Sequence, residues 1–246
     1  MVQHASGLEQ IALAVGTLGM ALGTVAFIAM GWGEQDEHKR RFYVVTTLIS
    51  GIATVAYLLM FLGIGVAEVP IPGENFTLRI YWMRYVDWLL TTPLLLFDLA
   101  LLAGADRDLV YRLVGLDVAM VVVGAAAAVA PVGQTVRLVL WAISSLFFVA
   151  LLYLLANQLS AQAARQSGEV AALFSVLRNL VIVLWTAYPI VWIIGTESTI
   201  GLIPLGVETA AFMVLDLSAK VGFGFILLRS RGVLDEVSSG SGALAD

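Results

Sequence analysis

The chain has 246 residues, 60% hydrophobic and only 13% charged, with a formal charge of −5. That is too few polar groups to cover a water-soluble body of this size, so its solvent is a bilayer. The absence of cysteine excludes disulfides, thiolate metal sites and thiol catalysis, and with two histidines, His4 and His38, no metal centre is expected.

Apolar stretches of roughly 20 residues recur along the chain, and in lipid each must be a helix, because every backbone N–H and C=O needs an internal partner. In chain order the spans are predicted at about 8 to 32, 39 to 64, 82 to 103, 109 to 130, 134 to 160, 168 to 195 and 204 to 231. The residues before the first span, MVQHASGLEQ, lack the basic start of a cleavable signal peptide, so that span is expected to remain as a helix. GWGEQDEHKRR closes it. Between the second and third spans, EVPIPGENFTLR mixes turn formers with β-branched residues and suggests a short β-hairpin. AGADRD, APVGQ and GTESTIGLIP punctuate the later spans. The expectation is an all-α membrane protein: one seven-helix transmembrane bundle over residues 1–231, followed by a disordered tail, 232–246, that ends SSGSGALAD. No internal repeat is evident, which counts against a transporter of inverted halves.

Loop charges set a direction. Lys39, Arg40, Arg41, Arg107, Arg112, Arg165, Arg178, Arg229 and Arg231 fall toward one face, and Arg79, Arg84 and Arg137 toward the other. The richer side is usually cytoplasmic, which predicts an extracellular N-terminus and a cytoplasmic C-terminus.

A charge near the bilayer centre costs at least about 2.5 kcal/mol and invites a functional explanation. Lys220, in FMVLDLSAKVGFGFILL, is too deep in the seventh span for its ammonium to reach an interface. A packing ion pair with Asp216, four residues earlier, is the bland explanation. A desolvated lysine can also form a Schiff base with an aldehyde, which is the sharper one. In the third span, RYVDWLLTTPLLLFDLALL, Arg84, Asp87, Thr91 and Asp98 are spaced by 3, 4 and 7. Eleven residues of helix return to within about 20° of the same direction, so Asp87 and Asp98 share a stripe about 16 Å apart. Asp87 has Arg84 one turn away and is expected ionised, whereas Asp98 sits among leucines and is expected to stay protonated. Two carboxyls held in opposite states mark an acceptor and a donor. Asp117, in VGLDVAMVVVG, has no basic neighbour and reads as a neutral acid bonded across helices, to Thr92. Glu197 and Glu208 lie toward the outer mouth, either as solvated acids or as proton-release groups.

In the sixth span, WTAYPIVW sets Trp185, Tyr188 and Trp192 on one face, with Pro189 as a kink. Trp88 follows Asp87, and Trp141 lies in the fifth span. Aromatic stripes are usually packing or interface belts. Four of these rings lie at mid-membrane depth, where they could instead line a slot for a long, flat apolar ligand on Lys220.

Three blocks, YWMRYVDWLLTTPLLLFDLALL, LRNLVIVLWTAYPIVWIIGTE and ETAAFMVLDLSAKVGFGFILLRSR, make the chain resemble the archaeal microbial rhodopsins, closest to bacteriorhodopsin and related haloarchaeal proton pumps. The resemblance implies retinal bound to Lys220 as a protonated Schiff base, with Asp87 and Asp216 as counterions and Arg84 linking them to the exit. It also implies that Asp98 is the cytoplasmic proton donor, that Glu197 and Glu208 are a release pair, and that Thr91 and Tyr188 bond the counterions. Trp88, Trp141, Trp185 and Trp192 would surround the polyene, with Thr92, Leu95, Met120, Ser144, Ser145 and Phe148 also at pocket positions. Ser50, Leu140 and Val181 depart from bacteriorhodopsin without removing a proton carrier. Gly104 and His38 stand where loop acids serve proton uptake.

The implied function is a light-driven outward proton pump, an ion transporter rather than an enzyme, in the cell membrane as a multi-pass protein among lipids and by family expectation a trimer. Nucleic acid is not an expected partner. The alternative is a phototaxis photosensor or a middle-rhodopsin-like photoreceptor signalling through a transducer. Phe148 keeps it open, while Asp98 and the glutamate pair speak against it, as do Val214 and Ala219 at transducer-coupling positions. A chloride pump would need a neutral residue in place of Asp87.

Overall fold

The structure is a computed structural model that describes residues 7–242. Seven of its helices are long and apolar enough to cross a membrane: α1 (Gly7–Met30), α2 (Glu37–Phe61), α3 (Met83–Ala103), α4 (Arg107–Val129), α5 (Gln134–Ala163), α6 (Gly168–Ile194) and α7 (Leu205–Arg229). A short helix, α8 (Arg231–Gly242), follows. Side chains meet orphan backbone donors where the helices begin. Asp36 accepts from the amides of His38 and Lys39 at 2.9 and 3.0 Å, Asp106 from Leu109 at 2.8 Å, and Ser167 from Val170 at 3.2 Å. Pro93 and Pro189 lie inside α3 and α6 without ending them. The expected hairpin is present: β1 (Ala67–Pro70) and β2 (Thr77–Ile80) pair antiparallel, with Ala67 opposite Ile80 and Pro70 opposite Thr77.

The bundle reverses the polarity of a soluble fold. Leu18, Leu22, Leu146 and Val183 point outward, while Arg84, Asp87, Asp98, Asp117, Asp216 and Lys220 are buried. Outward leucines lose nothing in lipid, whereas a charge gains from every polar partner inside the bundle. One half of the interior is apolar, with Phe42, Leu96, Leu99, Leu102, Leu177 and Leu227 packed as one cluster around the Asp98 end of α3. The other half holds the polar network described below, roofed by Val69, Ile71, Leu78 and Ile80 of the hairpin.

Two local features depart from the sequence reading. α5 and α7 each contain a widened π turn, at Leu154–Leu159 and Leu217–Gly222. The run after Arg231, expected to be structureless, is helical to Gly242. Its polar composition hides an apolar face: Leu234 is buried, and Val233 and Val237 pack against the core beside it. Lys39 Nζ meets Asp235 at 2.8 Å, and Ser238 bonds Asp36. His4 and residues 243–246 of the expected tail lie outside the described residues.

Candidate functional site

Lys220 sits in the widened turn of α7 and is almost wholly buried. Its Nζ bonds Asp87 of α3 and lies 3.3 Å from Asp216 Oδ1, one turn earlier on α7. Both the bland ion pair and the acceptor geometry are therefore present together. Asp216 is over-determined: Tyr57 donates to Oδ2 at 2.7 Å, and Tyr188 and Trp88 donate to Oδ1 at 2.9 and 3.2 Å. Asp87 receives a longer 3.4 Å contact from Thr91, whose hydroxyl also meets the Asp87 carbonyl at 2.8 Å. Three neutral donors hold Asp216 in place, whereas Asp87 depends chiefly on Lys220.

The structure corrects one pairing. Arg84, expected beside Asp87, instead meets Glu197 Oε1 at 3.1 Å, with its guanidinium 4.4 Å from the Phe212 ring centre and 5.6 Å from that of Tyr81. Side chains on a helix lean toward its N-terminus, and Arg84, in the first turn of α3, reaches away from Asp87. Glu197 and Glu208 are fully buried, not solvated loop acids. Glu197 accepts from Tyr85, which takes a 2.8 Å bond from Trp192 Nε1. The backbone carbonyl of Glu197 accepts from Arg137 Nε at 2.9 Å. Glu208 accepts from the Thr196 amide at 2.7 Å and from its hydroxyl. A Cβ at position 195 would come within 2.5 Å of Glu208 Cδ, so the bare backbone of Gly195 lets this carboxyl close onto the loop.

On the opposite side of Lys220, Asp98 is fully buried, with Oδ2 3.0 Å from the hydroxyl of Thr46 and Oδ1 without a partner. Asp117 accepts from Thr92 at 2.7 Å, the cross-helix bond the sequence suggested.

A cavity opens from Lys220 between α3, α4, α5, α6 and α7. Its walls include the four tryptophans Trp88, Trp141, Trp185 and Trp192, with Tyr188, Asp216, Thr92, Leu95, Met120, Ser144, Ser145 and Phe148 between them. A space that is apolar and ring-lined, with one amine at its edge, suits a long conjugated aldehyde. The chain has two lysines, and only Lys220 reaches the cavity.

Several participants escaped the sequence reading. Tyr57, Tyr85 and Thr46 meet their carboxyls across 159, 112 and 52 residues of chain. Arg137 was read only as a loop charge. The one sequence sign for the tyrosines is a phenol inside an apolar run.

A family profile described as "Bacteriorhodopsin-like protein" matches residues 7–234. The chain is 54% identical to the bacteriorhodopsin of Haloterrigena sp. (strain arg-4), covering 96% of this chain and 94% of that one. It is 52% identical to cruxrhodopsin-1 of Haloarcula argentinensis, covering 96% and 95%. The crystal structure of the thermophilic rhodopsin from Rubrobacter xylanophilus superposes with a TM-score of 0.87 at 44% identity, over 94% of this chain and 99% of that one. With the profile spanning nearly the whole bundle and the lysine set between its carboxyls, the chain belongs to the bacteriorhodopsin-like family of microbial rhodopsins.

Proposed function

We propose that the proton route of this chain runs from Asp98 to the Lys220 nitrogen, then to Asp87, and leaves by Glu197 and Glu208. As a member of its family the chain is a light-driven proton pump of the cell membrane that carries retinal through a Schiff base to a lysine. Retinal, when bound, supplies the absorption of light and the change of shape that re-aims the proton on the lysine nitrogen. Lys220 is the lysine that fits, because it alone opens onto the cavity.

The observation that carries the route is the Lys220–Asp87 contact. A proton at Nζ already lies within hydrogen-bond reach of its acceptor, so transfer needs no rearrangement of α3. Asp216, held by three donors, stays in place as the fixed anion. Arg84, paired with Glu197, couples the next step. When Asp87 takes the proton of the lysine nitrogen, Arg84 loses an attraction on the Lys220 side and strengthens its hold on Glu197, which favours release from the glutamate pair. Asp98 refills the lysine nitrogen from the dry half. The count of basic loop residues supports a cytoplasmic position for that half, which makes net movement outward.

Illuminated cells expressing the protein in unbuffered medium should acidify it, and a protonophore should abolish the signal. Asp87→Asn should remove the acidification altogether; normal pumping by that variant would overturn the route. Asp98→Asn should slow refilling of the lysine nitrogen by about 100-fold, the usual contribution of a positioned acid. A photosensor has no need of that refilling step, and the fully buried Asp98 favours the pump.

A further inference from the structure

Away from the cavity, three hydroxyls meet between α1 and α2: Thr24, Ser50 and Thr54. Thr24 Oγ1 lies 3.0 Å from Ser50 Oγ and 3.4 Å from Thr54 Oγ1. Ser50 has no exposed surface. Several membrane hydroxyls bond only one carbonyl a turn back on their own helix, as Thr17, Ser175 and Thr186 do. Ser50 does more.

Each hydroxyl has one hydrogen to give. Thr54 spends its hydrogen on the Ser50 carbonyl at 2.8 Å. Thr24 has its one hydrogen between Ser50 Oγ across the seam, at 3.0 Å, and the Met20 carbonyl, at 2.8 Å. Ser50 is left to share its own hydrogen between the carbonyls of Thr46, at 3.3 Å, and Thr47, at 3.1 Å. A side chain that competes for ladder carbonyls bends a helix locally. Here one of the two carbonyls belongs to the residue whose hydroxyl donates to Asp98 Oδ2. Thr46 is held from a third side as well: a Cβ at Gly224 of α7 would sit 2.5 Å from Thr46 Cγ2, so the methyl rests against bare backbone.

We propose that Ser50 is a positioning residue for the proton donor: tethered to α1 by Thr24, it holds the backbone of Thr46 so that the Thr46 hydroxyl stays on Asp98. The inference rests on the reading of Asp98 as the donor given above.

Two readouts test it in the retinal-loaded, full-length protein. The carboxylic C=O stretch of Asp98, assigned as the infrared band lost in Asp98→Asn, should move in Ser50→Ala in the same sense as in Thr46→Val. The time constant for refilling the lysine nitrogen after a flash should change about threefold or more, a coupling typical of residues sharing one hydrogen-bond network. In a Thr46→Val background, Ser50→Ala should add nothing to either. The visible absorption band should stay in place, since Ser50 does not line the cavity, and its presence reports folding. Should Ser50→Ala fail to fold, Thr24→Val serves as the second variant with the same expected pattern. An unmoved band, an unchanged time constant, or effects that simply add to those of Thr46→Val would overturn the proposal. Failure of Asp98→Asn to slow refilling would instead sink the donor reading, and the infrared arm would still report whether Ser50 sets Thr46.

Discussion

Asp87 and Asp98 are the same residue type on one face of α3, and their surroundings alone separate them. Asp87 touches an ammonium; Asp98 touches one hydroxyl and otherwise leucines. The stripe they share was legible because helical spacing is a local property. Their partners were not, since nothing local marks which phenol or hydroxyl will meet a carboxyl on another helix. Arg84 shows the limit best: one turn from Asp87 in sequence, it is committed to Glu197, 113 residues away. Arg137 behaves similarly, donating to the carbonyls of Glu197 and Ala128 at 2.9 and 2.7 Å. Arg137→Gln should loosen Glu197 and delay proton release, relative to deprotonation of the lysine nitrogen, by about tenfold, the effect of losing one charge-assisted bond. A pH-sensitive dye read alongside flash absorbance checks this.

At the scale of elements, all seven spans were legible from apolar length, because lipid leaves a long apolar segment no other structure. The widened turn at Lys220 was not legible, since packing against neighbouring helices decides such an insertion. Nor was α8, whose three apolar residues are diluted in a polar run. α7 meets α1 and α2 closely at Gly224. Gly224→Val would drive a methyl into Phe27, whose ring is already edge-on to Phe225 at 5.0 Å, and into Thr46. The expected loss is about 1–3 kcal/mol of stability, read as faster thermal bleaching of the visible band. The α3–α4 loop carries a pH-sensitive clamp. Bonds from the Leu109 amide and from Gln162 hold the exposed Asp106 carboxyl below the ordinary carboxylate range. Its stabilisation is complete above the unfolded value near about 3.9 and fades as pH falls through the lower folded value. The bleaching temperature should drop between about pH 5 and pH 2, and Asp106→Asn, which still caps α4, should flatten that drop.

For the molecule as a whole, the family was legible from three blocks of sequence, whereas the route depends on distances no sequence prints. The interior is divided unequally. From Lys220 toward the hairpin it is crowded with carboxyls, guanidinia and phenols; from Lys220 past Asp98 it is closed by leucine and phenylalanine. Polarisable matter supports little electric field, so a transmembrane voltage falls mainly across the leucine half. A full charge crossing the whole membrane gains or loses about 2.3 kcal/mol per 100 mV, and most of that work attaches to the Asp98 steps. In voltage-clamped membranes, an opposing potential should therefore slow the refilling of the lysine nitrogen steeply and leave its first deprotonation almost untouched. The pump would stall against a charged membrane from its dry side, with Lys220 waiting, empty of its proton, for a delivery the field holds back.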